Sequence, residues 1–63
     1  MSAYHVAAIY GALGDTDEAF EWLDRAYEER SPWIGYMNVD PRLDPLRSDP
    51  RFDALLRKAR LAT

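Results

Sequence analysis

The sequence predicts an all-α fold: an antiparallel helical hairpin followed by a C-terminal capping helix. Three observations predict it. Apolar residues recur at i, i+3, i+4 and i+7 in two separate stretches, the spacing of one helix face. No stretch alternates apolar and polar residues as a half-buried strand does. Glycine and Asp-Pro pairs fall between the periodic stretches, where helices stop and start.

The first helix is predicted over residues 3–13, where Val6, Ile9, Tyr10 and Leu13 carry the helical spacing. Its other positions are apolar or small too (Ala3, Tyr4, Ala7, Ala8, Ala12), with His5 the one strongly polar side chain. A helix apolar all round is buried on more than one side. Gly14 stops it, because glycine adopts a left-handed C-cap without steric cost. Asp15 then caps the next helix, with Glu18 three residues on as in a capping box. That helix is predicted over 16–30. Ala19, Phe20, Trp22, Leu23, Ala26 and Tyr27 spread over an arc of roughly 160° at about 100° per residue, enough for two neighbours. Glu21 and Arg25 are spaced for an ion pair on its outer side.

Residues 32–48 are rich in proline. Pro32 opens a short helical turn through Trp33, Ile34 and Tyr36, and Asp40-Pro41 and Asp44-Pro45 make tight turns or single helical turns. Asp49-Pro50 opens a full helix over about 50–61, with Phe52, Leu55, Leu56 and Ala59 on one side. The chain reads as one domain, 1–63, divided into the hairpin at 3–31, proline-rich turns at 32–48 and the capping helix at 49–61.

A core in so short a chain rarely supplies more than about 3–5 kcal/mol, so support from another chain is expected. With no cysteine and a single histidine, disulfides and metals do not supply it, and no cofactor is expected. The net charge of −3 argues against a nucleic-acid partner. No apolar run approaches the roughly 20 residues of a membrane span and the N-terminus lacks a basic leader, so a cytoplasmic location is expected. Residues 1–31 carry seven acids against two arginines, net −5, while residues 32–63 carry net +2. Either the two halves present separate solvated faces, or they attract within or between chains.

No catalytic constellation is present, and the chain is not expected to be an enzyme. His5 has no serine or cysteine nucleophile at a meaningful spacing. Asp15, Asp17 and Glu18 lack the Asp-x-Asp-x-Asp-Gly pattern of a calcium loop and are better explained as capping residues. The three glycines form no phosphate-cradling loop. The set Trp22, Trp33, Tyr36 and Met37 supports two readings, core or exposed partner anchor.

The hairpin resembles a tetratricopeptide repeat, whose pattern runs W-x2-L-G-x2-Y, then A-x3-F, then A and P. Ala3, Val6, Ala7 and Tyr10 occupy the first segment, with the tryptophan replaced; Ala19, Leu23 and Ala26 occupy the second, and Pro32 closes it one position late. Gly14-Asp15-Thr16-Asp17-Glu18-Ala19 resembles the turn of such repeats. The stretch from Val39 to Leu56 resembles the end of bacterial proteins that finish in these repeats. The resemblance implies a bacterial protein-interaction module in which small residues at Ala7, Ala19 and Ala26 let two helices approach closely. Family members often bind peptides along the first helix of each repeat. Tyr4 and Ala8 stand at the positions where some of them clamp a C-terminal carboxylate, and neither can make that clamp.

Two functions remain open: an interaction module that pairs with itself or docks on neighbouring repeats, and a small-ligand or regulatory domain with Trp22, Trp33 and Tyr36 as its pocket. The partner-binding residues expected are Tyr4, Ala8, Ala12, Trp22, Trp33 and Tyr36. The second helix can bury only one side of the first, and within these 63 residues no further repeat is expected to cover the other. Ile9 and Leu13 point one way, and the side carrying Tyr4, Ala8 and Ala12 is expected to pair in a homodimer.

Overall fold

The first helix, α1 (Ala3–Ala12), starts on a serine: the Ser2 hydroxyl accepts from the His5 backbone N–H at 3.3 Å. It stops at Gly14, which takes φ +83°. There the Gly14 N–H donates to the Gly11 carbonyl (3.1 Å) and the Asp15 N–H to the Tyr10 carbonyl (2.9 Å), the paired bonds of a Schellman turn. The second helix, α2 (Thr16–Glu28), begins with the Asp15 carboxylate accepting from the Glu18 N–H at 3.3 Å. Only this half of the expected capping box forms, because the Asp15 N–H is already given to Tyr10.

Residues 2–61 are described in the computed structural model, and α-helices and 3-10 turns account for the regular structure among them, with no strand. After α2 come a first 3-10 turn (Pro32–Tyr36), a second (Pro41–Leu46) and the third helix, α3 (Pro50–Leu61). The all-α prediction therefore holds. α2 ends two residues short of the predicted 30, because Arg30 flips to φ +56° and repeats the Schellman turn: its N–H donates to the Tyr27 carbonyl and that of Ser31 to Ala26. Asp40 and Asp49 both act as caps, their carboxylates accepting from the N–H of Arg42 (3.0 Å) and Arg51 (2.8 Å). The middle pair differs. Asp44 and Pro45 lie inside the second 3-10 turn, and Asp44 pairs with Arg47 at 2.7 Å.

Packing of α1 on α2 is the most extensive contact between elements. Ala7, Ala19 and Ala26 are fully buried, so methyl groups stand where larger side chains would separate the axes, and Leu23 fills the space beside them. The wide apolar arc of α2 also meets α3 and the first 3-10 turn, and α3 buries Phe52, Leu55 and Ala59. Leu43 and Leu46 of the second 3-10 turn are buried where that turn packs on α1. Leu46 approaches Gly11 so closely that an added Cβ would sit 3.5 Å from its side chain.

Two expectations are corrected. The Tyr4 and Ala8 side of α1 is not left open: the second 3-10 turn covers it, and both residues are buried. The open side is that of Ile9 and Leu13, with exposed Ala12 beside it. The proline-rich stretch forms the short helical turns expected of it, and it also serves as a cover with its own apolar residues. Arg25, expected to pair with Glu21, instead lies over the Trp22 ring at 4.8 Å, and no ion pair joins it to Glu21.

Candidate interaction surface

The surface is built on a buried polar clasp. The Tyr4 hydroxyl donates to Asp40 Oδ2 at 2.5 Å across 36 residues of chain. Asp40, 1% exposed, also accepts from Arg42 Nε (3.1 and 3.2 Å) and Nη2 (2.8 Å), while Arg47 Nη2 reaches the Asp40 carbonyl at 3.3 Å. Among the described residues no buried side-chain nitrogen or oxygen lacks a partner. The Arg42 guanidinium holds the Asp40 carboxyl well below the usual carboxylate range, against the opposing effect of burial. Burial, and then the bond to Asp40, push the Tyr4 phenol well above its ordinary value.

This clasp orients a layer of rings above it. Trp33 stacks on Tyr4 (centroids 6.0 Å apart, 22° between planes), His5 meets Trp33 edge-on at 5.1 Å, and Tyr36 meets it edge-on at 6.0 Å. Arg42 lies 5.7 Å from the Tyr4 ring centre and 5.9 Å from that of Trp33. Trp33 and Tyr36 remain 40% and 46% exposed, so they form a rim and not a core.

Next to the rim runs the open side of α1. Its line is His5, Ile9 and Leu13, four residues apart, with Ile9 48% and Leu13 74% exposed. A groove of about 540 Å³ lies along it, lined by His5, Ala8, Ile9, Ala12 and Arg42. Helix α1 contains no Asp, Glu, Lys or Arg. The surface offers apolar packing with one cationic edge at Arg42. A hollow of about 640 Å³ at the C-terminal end of α2 is lined by Tyr27, Pro32 and Ile34 but also by Glu28, Arg30 and Ser31, and is the more polar of the two.

Of the residues singled out from sequence, Trp33 and Tyr36 form the rim, Ala12 is exposed in the groove, Ala8 lines its floor, and Tyr4 lies beneath as a support. Trp22 stands apart, half-buried under Arg25, so Trp22, Trp33 and Tyr36 do not enclose a common pocket. Sequence reasoning missed His5, Ile9, Leu13 and Arg42 as surface residues. One signal was available for Arg42: the tripeptide Asp-Pro-Arg occurs at 40–42 and again at 49–51, and in both copies the arginine returns to the aspartate that caps its own turn.

Among the described residues no group of three or more His, Cys, Asp or Glu side chains could hold a metal ion, and no helix is long and apolar enough to cross a membrane. Comparisons with family models, curated proteins and solved structures return no match.

Proposed function

We propose that the chain is a non-catalytic protein-interaction module of the tetratricopeptide-repeat kind, and that it works through the open side of α1 and the Trp33–Tyr36 rim. The observation that carries this reading is the exposure of Ile9 and Leu13 on a helix without a charged residue. A contiguous exposed apolar surface marks an interaction site more often than chance scatter. Exposed tryptophan and tyrosine beside it are the residue types that dominate binding energy at protein interfaces. The small-ligand alternative has less support, because Trp22 is separate from the other rings and the groove is open along its length.

The test is stability. Ile9→Glu leaves the unfolding free energy of the dilute chain within about 0.5 kcal/mol of the parent, as for a surface change. Leu23→Glu, which buries a charge, abolishes folding. If Ile9→Glu unfolds the chain as well, that side chain is holding the fold together and is not reserved for a partner.

A further inference from the structure

We infer that the partner seated on α1 is a second copy of this chain, lying antiparallel across a two-fold axis at Ile9. This rests on the interaction reading above and adds the occupant and its orientation. The open line is symmetric about its middle: His5 stands four residues before Ile9 and Leu13 four residues after. A two-fold axis there sets Ile9 on Ile9 and His5 of each copy on Leu13 of the other.

The two ends of the line are unlike, and each supplies what the other lacks. Aromatic rings crowd the His5 end, where Trp33 lies 5.1 Å from His5 and Tyr36 beyond it. At the opposite end Leu13 is 74% exposed. Antiparallel pairing places the Trp33–Tyr36 rim of one copy over Leu13 of the other, so each interface half is completed by residues of the second chain.

Charge selects the same orientation. Asp15 stands two residues after Leu13, whereas Arg42 edges the groove with His5. The side chain of Arg42 is 45% exposed even while it is bound to Asp40. Antiparallel copies bring each acidic turn to the other's Arg42 edge. A parallel pair would set the two acidic turns together, in a chain that already carries −3. Ala8 and Ala12 leave room for close approach of the helix axes.

The chain has no cysteine, so single-cysteine variants report the geometry directly. Packed helix axes lie about 8–10 Å apart, and Cα atoms sit about 2.3 Å from each axis. Facing Cα atoms on the two-fold are then roughly 3.5–5.5 Å apart, overlapping the range of about 4.4–6.8 Å that a disulfide bridges. Under mild oxidation Ile9→Cys forms a covalent dimer by itself. His5→Cys and Leu13→Cys each remain uncross-linked alone and join when mixed. Sedimentation of the unmodified chain shows the mass doubling with concentration, and Leu13→Glu abolishes the doubling with unchanged helix content. A monomer at every concentration overturns the second copy as occupant, while the interaction reading still answers to the stability of Ile9→Glu. Self-cross-linking of His5→Cys and Leu13→Cys without cross-linking of their mixture overturns the antiparallel orientation.

Discussion

Gly14 and Arg30 end their helices by the same backbone device, with opposite suitability for it. Both take positive φ, and both give their N–H to a carbonyl three residues back. Gly14 suffers no strain, and a Cβ there meets nothing within 4 Å, so any cost of substitution lies in the backbone alone. Left-handed geometry costs a residue with a Cβ about 1–2 kcal/mol. Gly14→Val therefore lowers stability by at least that amount, since β-branching is least compatible with positive φ. Arg30→Gly raises stability by about 0.5–1 kcal/mol, the strain relieved less the extra freedom glycine has when unfolded. Urea unfolding of the two variants checks both signs; a destabilised Arg30→Gly would show that the arginine side chain makes up for its strain.

Among the elements, α3 depends most on its first residues. Asp49 accepts the Arg51 N–H at 2.8 Å, and the Arg51 side chain returns to the same carboxylate at 2.9–3.1 Å and to Asp17 at 3.0 Å. The ion pairs Arg42–Asp40, Arg47–Asp44 and Arg57–Asp53 are local to the second half, whereas Arg51–Asp17 joins the acidic half to the basic one. Asp49→Ala removes the cap and lowers the melting temperature by several degrees, whereas Asp53→Ala, whose partner Arg57 is well exposed, changes it little. Equal melting temperatures for the two variants would place the anchor of α3 elsewhere. The three α-helices were legible in sequence because apolar period and start or stop signals agree at most boundaries; the end of α2, turned by Arg30 and not by a glycine, was not. The covering role of the second 3-10 turn was not, because Leu43 and Leu46 are too few to show a period, and their target on α1 lies more than thirty residues away. For the same reason the candidate surface was half legible. Trp33 and Tyr36 are conspicuous by residue type, but which side of an all-apolar helix stays open depends on what folds over it.

The whole molecule is tied across its length by Tyr4, Asp40 and Arg42, and this makes its stability depend on pH in a definite direction. Asp40 is held below the carboxylate range by Arg42, and Asp49 is lowered likewise by Arg51. A depressed native value contributes stability that is present above the unfolded value of about 3.9 and is lost as pH falls below it. Tyr4 is raised, so its contribution is complete below its unfolded value of about 10 and is lost as pH rises beyond that. The contribution of these three groups is thus level between roughly pH 5 and 9 and falls on either side. Tyr4→Phe flattens the alkaline arm, and Asp40→Asn reduces the acid arm without abolishing it, since Asp49 remains. Equilibrium unfolding at several pH values measures both; an alkaline arm unaltered in Tyr4→Phe would assign it to another group.

The 36 residues that separate Tyr4 from Asp40 also impose an order of events. The α1–α2 pairing closes a short connection, whereas seating the second 3-10 turn on α1 must first confine a long loop, and that entropy rises with loop length. The hairpin is expected to assemble first and the clasp to lock after the rate-limiting barrier. In stopped-flow experiments Tyr4→Phe should then speed unfolding and leave the refolding rate nearly unchanged, while Ala19→Gly, in the hairpin, slows refolding. A slowed refolding of Tyr4→Phe would reverse this order. In the expected order the surface at Trp33, which stacks on Tyr4 of the clasp, is the last part of the molecule to take shape.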